Sequence, residues 1–331
     1  MADASDFPPA HADVDTTWDG LQIAGDEPIG ASVVVRRPSR GGHDYLLLHR
    51  AHEGPDYAGD WAWTSPAGYR RPGEPIVTGA ERELVEETGI AGADVRAVDL
   101  SGRWAVFAAD IGVDVRIDLV DPEHDRYDWL PPDEAMARIS PHWVGREQIG
   151  RVERSPVSRI GFRPMTRADL PAVAERLTAP HVARWYGRES EGLDYVRDHY
   201  GPSIDGVRPT RMWVFQLDGV DAGQIQDYRA RDYREFAELT GMPDAVGIDY
   251  AITDAALVSR GVGTAMIFAF VRDVVLPTYR GLRHVVSTPE VANGASVRVL
   301  EKAGFAPSRT VYEDGHIPQR MCVLDVARVF G

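Results

Sequence analysis

The sequence has one cysteine, Cys322, and one lysine, Lys302, beside 35 arginines. A lone thiol forms no internal disulfide and supplies no cysteine-based zinc site; it fits a reducing compartment, where it serves as a small apolar residue. Alanine follows the only lysine, which excludes a G-x4-G-K-[ST] phosphate loop and with it the P-loop kinases and ATPases. No 18-residue apolar run occurs, and the opening Met-Ala-Asp-Ala-Ser-Asp-Phe-Pro-Pro-Ala lacks the basic and apolar segments of a secretion signal. These absences predict a soluble, cytoplasmic protein with no membrane partner. The ten histidines show no H-E-x-x-H or comparable metal spacing.

Basic stripes are missing too. Net charge is −15, and the excess lies in the first half: 15 arginines face 29 acidic residues through Pro156, against 21 basic and 22 acidic residues afterwards. Nucleic-acid binding relies on phosphate neutralisation by Lys and Arg, so this balance excludes it. A length of 331 residues with 44% hydrophobic content exceeds a typical single core and predicts two domains.

What is present is concentrated in a few stretches. Residues 80–88 are free of Gly and Pro, flanked by Gly79 and Gly89, and predict a helix with Glu83 and Glu87 one above the other and Glu86 beside them. Carboxylates so close repel unless a cation lies among them, and oxygen-only ligands suit Mg²⁺ or Mn²⁺. Arg82, four residues before Glu86, can orient it. A solvated acidic helix face is the plainer alternative.

Spacing decides between them. Gly68, Glu74, Arg82, Glu83, Leu84, Glu86, Glu87, Gly89 and Ile90 occupy every fixed position of G-x5-E-x7-R-E-U-x-E-E-x-G-U, with U aliphatic, so residues 68–90 resemble the Nudix box. The resemblance implies hydrolysis of a nucleoside diphosphate derivative, metal ligation by Gly68, Glu83, Glu86 and Glu87, and catalytic roles for Glu86 and Glu87. Glu123, six residues before Trp129, has the spacing of a carboxylate that in some members binds a second metal or activates water; a surface glutamate is the equal alternative.

Residues 29–37 and 45–49 predict a hairpin, and residues 96–109 and 113–120 two further strands. The region 1–28 reads as a loose arm, 29–147 as the first domain, 148–159 as a linker and 160–331 as the second domain. In the last of these, residues 211–217, 222–228 and 246–252 predict strands, and a helix capped by Thr166 follows the opening strand. Residues 259–266 open a helix running to about Val275.

Arg260, Gly263 and Ala265 fit [QR]-x-x-G-x-[GA], and Asn293, Ser296, Gly304 and Phe305 fit a second signature in the right order, so this half resembles the GCN5-related N-acetyltransferases (GNAT). Physically, glycines let backbone approach an anion while the free amides of a helix's first turn bind it. The resemblance implies that acetyl-CoA lies along the strand ending near Ile252. Its pyrophosphate would sit on Arg260, Gly261, Val262, Gly263, Thr264 and Ala265, and Asn293 and Ser296 would also contact it. The whole is then an α/β (α+β) chain: a Nudix α/β/α sandwich followed by a GNAT acyl-CoA N-acyltransferase domain.

Trp185-Tyr186-Gly187, Tyr200-Gly-Pro-Ser, the stretch around Gln226 and Gly247-Ile-Asp-Tyr are similar to aminoglycoside 6'-N-acetyltransferases. That resemblance implies an amine acceptor held by Trp185, Tyr186, Tyr200, Gln226, Asp249 and Asp314, with Asp249 accepting the ammonium proton. Two departures matter. Leu300 stands where relatives carry a tyrosine suited to protonate the thiolate, and Thr288 replaces another substrate-facing aspartate. Arg229, Arg231 and Arg234 are expected to crowd the segment that covers the acceptor, which is awkward for a polycationic sugar. A different class of reading keeps one domain as a non-catalytic nucleotide sensor or dimerising scaffold.

Overall fold

Two seven-stranded mixed sheets, one from each half of the chain, organise the computed structural model, which describes residues 16–17, 20–51, 54–155, 159–187, 191–313 and 317–331. In the first half, β1 (Gly30–Ser39) and β2 (Gly42–Arg50) form the expected hairpin. Then come β3 (Trp63–Thr64), β4 (Ala67–Tyr69), α1 (Ile76–Thr88), β5 (Val95–Asp99), β6 (Trp104–Asp110), β7 (His124–Leu130), α2 (Pro132–Arg138) and α3 (His142–Glu153). Strand order is β3-β2-β1-β6-β5, with β4 on β1, β7 on β2, and β1 parallel to β6. α1 ends where Gly89 turns left-handed at φ 72, a conformation that costs glycine nothing. Its Ile76, Ala80 and Leu84, spaced by four, lie against one sheet face, while Val144, Ile149 and Val152 of α3 cover the other.

Three expectations fail here for local reasons. Residues 96–109 divide into β5 and β6 at Ser101-Gly102-Arg103. Residues 113–120 form no strand: Val113, Val115 and Val120 are exposed, only Ile117 is buried, and the segment is tied to α1 through Asp118 N donating to Thr88 O at 3.0 Å. The strand that pairs with β2 is instead β7, which begins at His124. The linker expected at 148–159 is helical through Glu153 because Ile149 and Val152 are core residues. Of the arm, residues 24–28 are anchored: Ala24 N donates to Arg70 O at 2.8 Å, and Arg70 pairs with Asp26 at 3.1 Å. Residues 1–15 lie outside the described residues.

The second half opens with β8 (Ile160–Pro164) and a Thr166–Asp169 capping box, as the cap at Thr166 predicts. It continues with α4 (Leu170–Leu177), α5 (Pro180–Tyr186), α6 (Leu193–Ile204), β9 (Arg211–Leu217), β10 (Val220–Arg229), α7 (Arg234–Thr240), β11 (Val246–Ile252) and α8 (Val262–Phe270). α8 passes through a wider turn at Val271–Val275 into α9 (Leu276–Thr278); β12 (His284–Ser287), α10 (Gly294–Lys302), β13 (Ala306–Glu313), β14 (Ile317–Asp325) and α11 (Val326–Val329) complete it. The sheet order is β13-β14-β12-β11-β10-β9-β8. Parallel β11 and β12 pair at Val246–Val285 and Gly247–Val286; among the described residues the ladder goes no further, so the two strands part beyond Gly247. Alternation along β11 sends Ile248, Tyr250 and Ile252 toward α8 and α10, and Asp249 and Ala251 toward α4 to α6.

One core serves both halves. Ala31, Val33 and Phe107 of the first sheet cluster with Phe268 and Phe270 of α8 and Val329 of α11, and the Phe107 and Phe268 rings meet edge to face at 6.0 Å. Polar ties rim the contact: Leu100 N donates to Lys302 O at 2.9 Å, Arg260 Nε donates to Arg154 O at 3.0 Å, and Lys302 pairs with Asp99 at 3.3 Å. Interfaces between domains of one chain are ordinarily more polar than this. Among the described residues no helix is long and apolar enough to cross a membrane.

Candidate active sites

In the first half, α1 carries its carboxylates toward β4 because the loop of residues 70–75 turns the helix back onto that strand and onto β1. Glu83 lies against Gly68 so closely that a Cβ there would overlap its carboxylate, which explains the glycine. Glu87 is 4% exposed and accepts from Ala67 N at 2.9 Å. Glu86 sits outside this pair, on the rim, with Arg71 at 3.2 Å and Arg82 at 2.9 Å. Arg82 does more than orient Glu86. Its guanidinium also holds Glu74 at 2.8 Å and Glu83 at 2.6 Å and donates to Tyr69 O at 2.9 Å, so one cation ties the helix, the preceding loop and β4 together.

Burial pushes the Glu83 carboxyl up to about 7, against the lowering effect of Arg82. Burial also raises Glu87 well above the usual carboxylate range; the Ala67 amide and Arg50 oppose the shift, and the charges of Glu83 and Glu123 add to it. Glu123 therefore lies within electrostatic reach of Glu87. Among the described residues no three acidic, histidine or cysteine side chains stand gathered as a ready metal cage, since Arg82 and Arg71 occupy Glu83 and Glu86. The donor chemistry nevertheless fits a hard divalent cation. Two desolvated carboxylates and a third acidic group share a site where only a positive charge would let them ionise together. Arg50, at the end of β2, is the cation that sequence reading missed; the strand expected at 45–49 stops one residue short of it, and nothing local shows that this strand end faces Glu87.

In the second half, Val262, Gly263 and Thr264 form the first turn of α8, whose amides have no acceptor within the helix. Gly261 precedes it at φ 76, and Arg260 reaches away to Arg154 O. Gly263 is a packing position as well as part of this first turn. A Cβ there would stand 3.0 Å from Val299 and 3.2 Å from Ile252, so this glycine lets α8, α10 and β11 approach one another. Asn293 caps α10, its side chain accepting from Ser296 N at 3.1 Å, and Ser296 Oγ lies 2.6 Å from the Tyr250 hydroxyl. Leu300 is fully buried.

On the other face of β11, Gln226 Nε2 donates to Asp249 Oδ2 at 2.9 Å across the β10–β11 ladder. Tyr228, two residues along β10 from Gln226, flanks this pair on one side, with the Tyr233 and Phe236 rings each 5.2 Å from its own. On the α5–α6 side, Trp185 stacks under Arg184 at 4.2 Å, and Tyr186 packs on the α4–α6 cluster. Tyr200 is buried, and its hydroxyl accepts from Gln224 Nε2 at 3.2 Å, so it shapes this side from beneath. The expected crowding by arginines does not occur. Arg229 points to the opposite sheet face, over Tyr279 at 4.8 Å, Arg231 pairs with Asp244, and Arg234 pairs with Glu238 at 2.8 Å. Asp314 lies outside the described residues.

Comparison with known proteins finds one family in each half of the chain. Residues 26–151 match the NUDIX domain and residues 165–312 match the acetyltransferase (GNAT) domain. The chain is thus a Nudix hydrolase domain followed by a GNAT acetyltransferase domain, each of an enzyme family. No curated protein matches it. Similar solved structures include AAC(6')-Ib in complex with paromomycin and acetyl-CoA, 26% identical over 51% of this chain and 94% of that one, with a TM-score of 0.47. An aminoglycoside N(6')acetyltransferase from Legionella pneumophila is 22% identical over 51% and 92%, at 0.42. A C. elegans Ap4A hydrolase is 21% identical over 38% and 95%, at 0.32.

Proposed function

We propose that the chain is a bifunctional enzyme: its first half hydrolyses a nucleoside diphosphate derivative with Mg²⁺ or Mn²⁺, and its second half transfers acetyl from acetyl-CoA to a primary amine on an amino sugar or similar polar molecule. The junction falls between the end of α3 at Glu153 and the start of β8 at Ile160, and a cytoplasmic setting suits the buried thiol of Cys322.

For the hydrolase, the observation that carries the reading is the buried pair of Glu83 and Glu87 beside Gly68. Gly68, Glu83, Glu86 and Glu87 would hold the cation, which when bound neutralises phosphate charge and makes water more acidic. Arg82 keeps Glu83 and Glu86 in place, Glu123 is within reach to take a proton from water, and Arg50 offers a positive charge to a substrate phosphate.

For the transferase, the carrying observation is that β11 and β12 part beside the unpaired first turn of α8. The gap suits an extended acyl chain, and the amides suit its pyrophosphate. Asp249, fixed by Gln226, binds the ammonium of the acceptor and accepts its proton as nitrogen attacks the thioester carbonyl. Pairing of Arg231 and Arg234 with acidic partners removes the repulsion a polycation would meet.

The test is a panel of nucleotide pyrophosphates with Mg²⁺, followed by released phosphate species, beside a panel of amines with acetyl-CoA, followed by free thiol. Turnover in both is expected; a chain that binds acetyl-CoA and no amine, or nucleotides without cleaving them, would instead support the sensing-module reading.

A further inference from the structure

Leu300 fills the place where a proton donor to the leaving sulfur is expected, and its side chain belongs to the shared core. A hydroxyl stands one helical turn away. Tyr250 projects from β11 onto α10, where its Oη lies 2.6 Å from Ser296 Oγ and 3.3 Å from Ser296 O. Ser296 precedes Leu300 by four residues and so shares its helix face.

Position along β11 gives this hydroxyl its meaning. Tyr250 is three residues past Gly247, where pairing with β12 ends, and two before Ile252, against which the start of α8 packs. Residues two apart on a strand lie about 6.5 Å from each other on one face. An acetyl-CoA whose pyrophosphate rests on α8 and whose arm follows the unpaired edge of β11 must pass Tyr250 before it reaches the point of divergence. Asp249, the adjacent residue, faces the acceptor from the opposite side of the same strand.

We propose that Tyr250 donates the proton to the sulfur of coenzyme A, with Ser296 as its relay to solvent. The proposal rests on the acetyltransferase reading above. As the amine nitrogen bonds to the carbonyl carbon, the C–S bond breaks and its electron pair goes to sulfur. The ammonium proton first leaves to solvent by way of Asp249; the neutral nitrogen, once bonded to carbon, gives a second proton to Asp249, sulfur gains one from the Tyr250 hydroxyl, and Ser296 refills that hydroxyl from solvent as Asp249 returns its own. Burial raises the phenol, opposed by the Ser296 contact, with the Cys322 and Asp249 charges adding to the rise, so Tyr250 stays protonated at neutral pH.

The decisive measurement needs no acceptor. Free coenzyme A is bound to the full chain, and its thiol is titrated by thiolate absorbance in the native protein, in Tyr250→Phe, which keeps the ring and its packing, and in Ser296→Ala. A hydrogen bond from Tyr250 stabilises the thiolate, so the bound thiol should titrate about one unit lower in the native protein than in Tyr250→Phe, a roughly tenfold difference in acidity. Turnover of Tyr250→Phe with an amine that the native protein acetylates should fall on the order of 100-fold with little change in KM for acetyl-CoA. Coenzyme A bound with an unchanged thiol titration in both variants overturns the proposal and leaves the acetyltransferase reading intact. Failure of the native protein to bind coenzyme A overturns both.

Discussion

Glu87 accepts a hydrogen bond from the backbone amide of Ala67 at 2.9 Å, and this one donor faces a carboxylate that is 4% exposed and pressed by the charges of Glu83 and Glu123. One amide does not offset the desolvation of a carboxylate, so without a cation the neutral form is favoured. Glu87→Gln keeps the shape and removes the charge. Its metal-free form should melt no lower than the native protein, should gain no stability from Mg²⁺, and should lose most nucleotide hydrolysis. Mg²⁺-dependent stabilisation equal to that of the native protein would remove Glu87 from the ligand set.

A pH dependence follows from the same site. Glu83 titrates near 7 in the folded chain and near the ordinary carboxylate value when unfolded, so between those values the folded state binds more protons. Stability is then highest below the unfolded value and falls as pH rises through about 7, by up to about 3 kcal/mol for this group. Mg²⁺ favours the ionised form and should abolish the fall. Thermal melts from about pH 5 to about pH 8, with and without Mg²⁺, check both halves of the statement.

Phe268 is fully buried between Phe107 of the first half, at 6.0 Å, and Phe330 of the second, at 5.1 Å. Removing the ring leaves a cavity inside the shared core rather than at a domain surface. Phe268→Ala should cost about 3–5 kcal/mol, and denaturation should remain a single transition seen alike by probes in both halves. Two separate transitions in the native protein would contradict a common core.

Much of this architecture is written in the sequence, and the exceptions have physical causes. The face shared by Glu83 and Glu87, the strands around Asp249 and the cap at Thr166 follow from local periodicity and side-chain chemistry, which a linear reading captures. Tyr250 was visible as Asp249's neighbour, and strand alternation alone puts it on the opposite face; its meeting with Ser296 depends on how α10 packs. The fourfold grip of Arg82, the direction of Arg229 and the inward packing of Gly263 depend on tertiary partners in the same way. Apolar runs say that Phe107 and Phe268 are core, yet cannot say that they belong to one core. Residues 113–120 mislead because alternating valines suit a strand, while the sheet position they would fill is taken by β7.

Gly263 provides a second packing test. A Cβ at this position meets Val299 at 3.0 Å and Ile252 at 3.2 Å, so Gly263→Val must push α8 away from α10 and β11. Overpacking of this kind costs about 1–3 kcal/mol. Acetyl-CoA affinity should fall with it, through displacement of the α8 amides rather than by obstruction of the phosphate. Calorimetric titration beside a thermal melt checks the pairing: lost affinity without lost stability would restore a direct clash with the ligand.

Asp249 is held by Gln226 at 2.9 Å on the face proposed for the acceptor, and an ammonium attacks nothing until its proton has somewhere to go. Asp249→Asn keeps the size and the ladder position but can neither neutralise the cation nor accept the proton. With acetyl-CoA and an amine that the native protein acetylates, turnover should fall by about 100-fold or more. Acetyl-CoA binding should survive, because the contacts proposed for the coenzyme lie on α8 and on the opposite face of β11. Raising the pH should rescue part of the rate, since more of the amine is then already neutral. That last outcome separates the chemical role from a structural one: an aspartate that merely caps a turn or steadies β11 would lose rate equally at every pH, and an unimpaired Asn variant would place the base elsewhere.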